Sequence, residues 1–343
     1  MGIHLSDILS QNKNKCYITT RSYKKSTNNI KYLIGNAKDD YSFFHQVIIS
    51  KMWDCIVDFL AYESLADYKN RVEVILKHTK QFVMISSCRV YSDAKGPVTE
   101  ETPRLIDVNI EDEYLNSNEY AINKCREENI VFDTESLNWT IVRPYITFGE
   151  DRFQLGVFEK ERWLFRALNH KSIVFSEDIA KHRTTITYGK NVAEGIAFLI
   201  GNSKAFGECF NITSEVSYTW DRILKTYCNI IKEKLGYSPN IVLQKESEFL
   251  DYGNPWALKY DRYLDRTFSS AKMRSIGFEI DKRDPLVDLS ECFMKFLSKR
   301  KRWGYIDYRQ EAKRDKILNE WSSLNKIEGK KNKLIYFFKR IGF

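Results

Sequence analysis

The sequence QFVMISS, residues 81–87, decides the fold class of this chain of 343 residues. Its run of Phe, Val, Met and Ile is typical of a short strand buried on both faces, and two serines end it. Periodic stretches long enough for helices, such as 62–79 and 117–135, separate this run from its neighbours. Further apolar runs of the same kind are KCYITT (15–20), KYLIG (31–35), WDCIVDFL (53–60) and WTIVRP (139–144). Strands that alternate with helices predict a doubly wound, parallel α/β sheet.

Composition limits the class of protein. The chain is 43% hydrophobic, which is enough to bury a core, and no apolar run approaches the ~20 residues that span a bilayer. No signal-peptide pattern follows Met1. Seven cysteines are scattered singly without a CxxC pair, which favours reduced thiols over a disulfide or zinc framework. The five histidines show no metal-ligand spacing, so we expect no metal site. Because neither a signal-peptide pattern nor a membrane-spanning run is found, we expect a cytoplasmic protein.

The positive charge is concentrated near the C-terminal end. The net charge is +8, and residues 299–343 contain 14 Lys/Arg and 5 Asp/Glu, so they carry +9 and residues 1–298 carry −1. Segments such as KKNKLIYFFKRIGF (330–343) interleave cations with aromatics, which would suit an anionic lipid surface or RNA. A solvated helix with a frayed end is the interpretation that we favour, and no nucleic-acid partner is expected.

The helical segment SNEYAINK, residues 117–124, places Tyr120 one turn before Lys124. In a parallel sheet, functional side chains gather at the carboxyl ends of the strands, where Ser87 is also expected. An ammonium group close to a phenol stabilises the phenolate, and a serine hydroxyl can hold a substrate oxygen against the phenol. The three side chains therefore suit proton transfer at a carbonyl or carbinol, coupled to hydride transfer. By itself, the YxxxK spacing also fits a surface Tyr–Lys pair.

The order of these motifs resembles the extended short-chain dehydrogenase/reductase family, the NAD-dependent epimerase/dehydratase group, over roughly residues 2–298. ISSCRVY is similar to the serine strand of the family, YAINK to its Tyr–Lys helix and IVRPYITFG to its Arg-Pro segment. The resemblance implies a Rossmann-type sheet that lacks its first strand, with a smaller α+β substrate lobe. It also implies catalytic roles for Ser87, Tyr120 and Lys124.

Three parts of the chain follow from the resemblance and the charge pattern. Residues 1–149 are expected to form a Rossmann-like dinucleotide-binding domain that is incomplete at its N-terminus. Residues 150–298 are expected to form the substrate-binding lobe together with some returning Rossmann elements. The remaining residues, 299–343, are expected to form a basic tail.

The resemblance also implies where a dinucleotide binds. Gly2 corresponds to the last glycine of the GxxGxxG loop, whose amides hold a pyrophosphate; the sequence starts at that point, which favours a truncated or misassigned start over a degenerate chain. Asn36 stands where the family has an acid that meets the adenine, and Ala61 ends the segment beside the cofactor. Lys124 and Pro144 are assigned to the ribose and the nicotinamide.

Two departures from the family's pattern limit the expected reaction type and the expected cofactor. Family dehydratases carry an Asp-Glu pair after the catalytic Ser or Thr, and Cys88 and Arg89 stand there, so dehydration is not expected. Arg21, with two lysines after it in ITTRSYKK, occupies the place of an acid in NAD-preferring members and favours NADP over NAD.

We therefore expect an NAD(P)-dependent oxidoreductase or epimerase acting on a nucleotide-activated sugar. The alternative is a catalytically inactive sugar-nucleotide-binding relative. A weak membrane-surface contact through the tail and a homodimer are left open.

Overall fold

The computed structural model describes residues 1–247, 254–299 and 303–342. Its strands are β1 (Cys16–Thr20), β2 (Ile30–Ile34), β3 (Ile56–Asp58), β4 (Phe82–Ile85), β5 (Trp139–Pro144), β6 (Thr147–Phe148), β7 (Ile173–Ser176), β8 (Arg183–Thr185), β9 (Thr187–Tyr188), β10 (Glu208–Ile212), β11 (Ser217–Thr219) and β12 (Ile241–Gln244). Its α-helices are α1 (Gly2–Gln11), α2 (Tyr41–Ile49), α3 (Leu65–Lys77), α4 (Leu105–Val108), α5 (Asp112–Leu115), α6 (Tyr120–Phe132), α7 (Lys160–Leu168), α8 (Glu177–Ala180), α9 (Gly189–Leu199), α10 (Trp220–Leu235), α11 (Pro255–Ala257), α12 (Ala271–Ser275), α13 (Pro285–Ser298), α14 (Tyr308–Leu318) and α15 (Lys330–Ile341). A 3-10 turn covers Cys88–Val90.

These elements form two compact units. Unit 1 consists of Met1–Thr147, Thr185–Val216 and Thr267–Arg283, and unit 2 of Phe148–Thr184, Ser217–Arg266 and Asp284–Phe343. The chain therefore passes between the units repeatedly. The segment expected as a basic tail contributes α14 and α15 to unit 2.

The strands of unit 1 form parallel ladders. One sheet has the order β10-β5-β4-β3, and β1 pairs with β2 in a separate ladder. Among the described residues, no ladder joins β1 to β3. The strand predicted at 53–60 is shorter in the structure, because the Asp58 carboxylate accepts a hydrogen bond from the Leu60 amide at 2.9 Å and turns the chain.

Helices cover both faces of the four-stranded sheet. Successive side chains of a strand point to opposite faces. Val83 and Ile85 accordingly pack in one apolar cluster with α1 and α9. Phe82 and Met84 pack in another cluster with α2 and α3. The predicted doubly wound α/β class is thus confirmed, and it brings the carboxyl ends of β3, β4 and β5 to one edge of the sheet.

Unit 2 has an aromatic core. Phe153 contacts the Phe293 ring at a centroid distance of 5.0 Å, and Trp163 contacts the Tyr227 ring at 4.6 Å. These side chains join α7, α10 and α13. Beside them, β7 and β12 form a parallel pair.

Candidate active site

Helix α6 presents the predicted tyrosine and lysine at different depths. Glu119 caps the helix by accepting a hydrogen bond from the Ala121 amide at 2.6 Å, so that Tyr120 is the first helical residue. Tyr120 is 43% exposed, whereas Lys124, one turn later, is 6% exposed. The phenol is therefore accessible to a ligand, while the ammonium group is enclosed by protein.

The buried ammonium group of Lys124 is held by a carboxylate. Its Nζ lies 2.7 Å from Oε2 of Glu127, which is also buried. Burial by itself would lower the pKa of Lys124, but the negative charges of Glu127 and of an ionised Tyr120 outweigh burial and raise it. Lys124 therefore stays protonated at neutral pH.

Asp58, the last residue of β3, supplies a second acid whose charge acts on Lys124. It is buried, and besides the Leu60 amide it accepts a hydrogen bond from the Tyr62 hydroxyl at 2.8 Å. Burial nevertheless raises the pKa of Asp58 above its ordinary value. The surroundings of the lysine charge are thus acidic, and Tyr120 is not its sole neighbour.

Ser87 lies in the turn that follows β4, close to the start of α6. Its hydroxyl accepts a hydrogen bond from the Arg89 amide at 3.2 Å. The Arg89 guanidinium donates to Glu119 at 2.6 Å and lies 5.4 Å from the centre of the Tyr120 ring. Arg89 therefore connects the serine turn to the first turn of α6, and the structure brings the predicted serine and tyrosine to neighbouring elements.

Glu128 fixes the position of these elements from inside unit 1. Its carboxylate, 0% exposed, accepts hydrogen bonds from Ser86 Oγ at 2.6 Å and from Arg143 Nε and Nη2 at 2.8 and 2.7 Å. Arg104 lies 3.3 Å from it. The Cys88 thiol donates to the Arg143 carbonyl at 3.0 Å, as expected of a packed thiol. One carboxylate thereby joins α6 to the ends of β4 and β5.

The residues predicted to hold a dinucleotide lie at separate places in unit 1. Gly2 begins α1, Arg21 follows β1, Asn36 follows β2, Ala61 lies three residues after β3 and Pro144 ends β5. The Asn36 side chain donates a hydrogen bond to Asp39 at 2.8 Å. At Gly2, an added Cβ would contact the Phe59 ring at 3.9 Å, which is an ordinary distance, so this helix start is open.

Asp58, Glu127 and Glu128 were not singled out from the sequence. Charged residues within a helix normally indicate its solvated face, and α6 instead buries both glutamates. The signals that could have found the two glutamates are an acid three residues after the predicted lysine and a second acid beside it, ahead of a strand whose penultimate residue is an arginine. Among the described residues, no group of three or more His, Cys, Asp or Glu side chains could hold a metal ion.

Comparison with known proteins gives one sequence relative and many structural ones. No protein-family model matches the chain. The chloroplast stem-loop binding protein of 41 kDa b from Arabidopsis thaliana is 24% identical over 248 residues, which are 71% of this chain. The matched region spans 59% of the length of that relative.

Among solved structures, similar folds occur in enzymes of nucleotide sugars. The dTDP-glucose 4,6-dehydratase of Bacillus anthracis, in complex with NAD, superposes with a TM-score of 0.64 at 17% identity, covering 88% of this chain and 94% of the enzyme. The UDP-N-acetylglucosamine 4-epimerase of Methanobrevibacter ruminantium gives 0.63 at 16% identity, covering 86% and 94%. The UDP-glucuronic acid 4-epimerase of Bacillus cereus, with UDP-glucuronic acid and NAD, gives 0.61 at 14% identity, covering 86% and 95%. The chain therefore has the fold of the NAD-dependent epimerases and dehydratases.

Proposed function

We propose that this chain, with the fold of the NAD-dependent sugar-nucleotide epimerases and dehydratases, is an NAD(P)-dependent oxidoreductase or epimerase of a nucleotide-activated sugar. One observation carries the proposal: Tyr120 is exposed at the first turn of α6, next to the serine turn, while Lys124 is buried and charged one turn away. The names of the three solved relatives supply the substrate class. All seven cysteines are free thiols, which supports a reducing compartment such as the cytoplasm.

We assign the start of α1 and residues at or after the strand ends to a dinucleotide, although only the last glycine of the family's phosphate loop has a counterpart in this sequence. The open start of α1 at Gly2, which no described side chain caps, offers backbone amides and the positive end of the helix dipole to a pyrophosphate. Asn36 and Asp39 offer polar groups to an adenosine, and Ala61 and Pro144 stand at or just after the strand ends that the resemblance assigns to the nicotinamide side. A bound nicotinamide would accept or supply the hydride.

The residues of the site have separate proposed roles in proton transfer and in positioning the substrate. Tyr120 exchanges a proton with the substrate oxygen, and Ser87 holds that oxygen by a hydrogen bond. Lys124 places a fixed positive charge one helical turn from the phenol. Arg89 keeps the serine turn and the first turn of α6 together through its contacts with Ser87 and Glu119.

A preference for NADP over NAD is a finer part of the proposal. Arg21 follows β1, with Lys24 and Lys25 close behind it in the sequence. Cations at this point suit a 2′-phosphate. Fluorescence titration with NADPH and NADH tests the preference. We expect Arg21→Ala to weaken NADPH binding selectively, while Lys69→Ala, which removes an exposed lysine of α3, leaves both affinities unchanged.

Turnover of a panel of UDP- and dTDP-sugars with NAD or NADP, followed by chromatography of the products, tests the reaction. We expect Tyr120→Phe to lower kcat by ~10²–10⁴-fold, because it removes the proton donor. Tyr305→Phe, which deletes a hydroxyl from an exposed tyrosine of unit 2, serves as the control. Full activity of Tyr120→Phe would rule out the proposed role of the trio.

A catalytically inactive sugar-nucleotide-binding protein is the second candidate. It is favoured by the ion pair between Lys124 and Glu127, since an ammonium group neutralised by a carboxylate supports a phenolate less strongly. The same panel separates the two functions. Binding of a nucleotide sugar without any turnover, with either cofactor, would select the inactive protein.

A further inference from the structure

Helix α15 carries an apolar stripe on its outer side. Leu334, Phe337, Phe338 and Ile341 are 57%, 39%, 48% and 44% exposed. Their spacing of three, four and seven residues puts them on one side of an α-helix. Four large apolar side chains along a single helix of 12 residues are more than the scattered exposure that is normal for a protein surface.

Lysines flank this stripe on both sides. At about 100° per residue, Lys331 lies to one side of the stripe and Lys333 to the other, and Lys330 continues it toward the N-terminus. All three precede the stripe, whereas Lys339, about 140° from Leu334 around the axis, lies toward the opposite side of the helix. The sequence of α15 contains no Asp or Glu. The helix therefore presents an apolar strip with a purely cationic border.

The opposite side of α15 is anchored in unit 2. Tyr336 is 0% exposed, and its hydroxyl donates to Asp315 Oδ2 at 2.6 Å and accepts from the Ser322 amide at 2.6 Å. Arg340 Nε donates to the Glu320 carbonyl at 2.9 Å, and its guanidinium lies 4.3 Å from the Trp321 ring. These bonds fix the rotation of the helix about its axis, so the apolar stripe is held outward.

We propose that α15 binds the surface of an anionic phospholipid bilayer. Leu334, Phe337 and Ile341 enter the boundary between headgroups and acyl chains, and the flanking lysines contact lipid phosphates. A nucleic acid would place its phosphates against the cations but leave Leu334 and Ile341, at the middle of the stripe, in water. A lipid surface would contact both the cations and these apolar side chains. Within residues 1–247, 254–299 and 303–342, no helix has the length and apolarity needed to cross a membrane, and the contact is a peripheral one.

Co-sedimentation of the full chain with vesicles tests the proposal. We expect binding to vesicles of phosphatidylcholine with phosphatidylserine, little binding to phosphatidylcholine alone, and release as salt rises. Each of Lys331→Gln and Lys333→Gln should weaken partitioning about fivefold, because one cation near such a surface is lost. Phe337→Ser should weaken it by about tenfold or more, because it removes apolar area.

Matched changes in unit 1 serve as controls. Lys69→Gln and Ile110→Ser alter an exposed lysine and a side chain that is 94% exposed, and both should leave partitioning unchanged. Circular dichroism confirms that each variant is folded. Equal binding to neutral and anionic vesicles, or no binding to either, would overturn the proposal. So would an oligonucleotide that binds the chain and loses affinity through the same lysine variants, or a Phe337→Ser variant that changes the oligomeric state without lipid.

Discussion

The ammonium group of Lys124 interacts electrostatically with the proposed catalytic Tyr120 and with a buried acid. Glu127 lies 2.7 Å from its ammonium group, and Asp58 acts on it as well. Each negative neighbour of the lysine reduces the net positive field that a phenolate at Tyr120 would feel. In the proposed reaction Glu127 is a positioning residue, because it acts on the phenol through the lysine.

Replacing Glu127 with Gln keeps the size of the side chain and removes its charge. The prediction rests on the acid/base role proposed for Tyr120. We expect the pH–rate profile of kcat/KM to shift to lower pH, because the charge of Lys124 is no longer offset. Glu113→Gln, at an exposed position of α5, is the control. An unchanged profile in Glu127→Gln would mean that the carboxylate only supports the packing of α6.

Some candidate site residues could be predicted from the sequence and others could not. Tyr120 and Lys124 could be predicted because their spacing fits one helical turn and the segment lies between two apolar strands. The burial of Glu127 and Glu128 could not be predicted, because glutamates on a helix normally lie on its solvent-exposed face. Their burial depends on Arg143 and Lys124, which come close to them only in the folded chain.

At the scale of elements, Glu128 joins α6 to β4 and β5. It compensates the buried guanidinium of Arg143 through two hydrogen bonds. Removing one partner of a buried ion pair leaves the other charge without compensation, which typically costs about 3–5 kcal/mol. We expect Glu128→Ala to lower the free energy of unfolding by that amount in urea titrations. Glu113→Ala should change it by less than about 0.5 kcal/mol, and a similar value for Glu128→Ala would show that Arg143 finds another acceptor.

In unit 2, Asp315 connects α14 to α15 and to the segment before β7. Burial opposes its charge, but hydrogen bonds from Lys171 and Tyr336 and the charge of Arg166 outweigh burial and lower the pKa of Asp315. A lowered pKa in the folded state stabilises the fold at every pH above the unfolded value of about 3.9. That stabilisation is lost as pH falls through the lower, folded value.

Acid unfolding tests this arrangement. We expect Asp315→Asn to be less stable than the natural chain at neutral pH and to approach it as the pH drops below about 4. Asp151→Asn, at an exposed position of unit 2, is the control. Urea titrations at several pH values measure the difference. A gap between the two proteins that stays constant down to acidic pH would contradict the role of the charge.

At the scale of the molecule, apolar runs predicted the sheet well. WTIVRP became β5 over its whole length and QFVMISS contains β4, because strands buried on both faces need a continuous run of apolar residues. Helices α14 and α15 were expected as a solvated tail because charged residues fill them. In the structure the acids Glu311 and Asp315 of α14 pair with Arg166 and Lys171 of unit 2, and such long-range pairing leaves no periodic signal in the sequence.

The two ladders of unit 1 should differ in hydrogen exchange. β4 and β5 each have a partner on both sides, whereas β1 pairs with β2 alone among the described residues. Amides of β4 and β5 should therefore exchange only through global unfolding, and half of the β1 amides through local opening. Mass spectrometry of peptides after deuterium labelling measures both. Equal protection of β1 and β4 would indicate that the outer edge of β1 is covered in solution.

The scattered cysteines can serve as built-in chemical probes that distinguish folded from unfolded chains. Four of the seven thiols are buried: those of Cys88, Cys125, Cys228 and Cys292. Loss of contact with water raises the pKa of Cys125 and of the partly buried Cys55 to about 12, and that of Cys228 and of the partly buried Cys209 to about 11. Only the thiolate attacks a maleimide, so a short pulse at neutral pH leaves most thiols of a folded chain unmodified. An unfolded chain takes up as many as seven labels in the same pulse. The mass spectrum of the intact chain would then separate folded from unfolded molecules and rank every variant above without a tag or a dye.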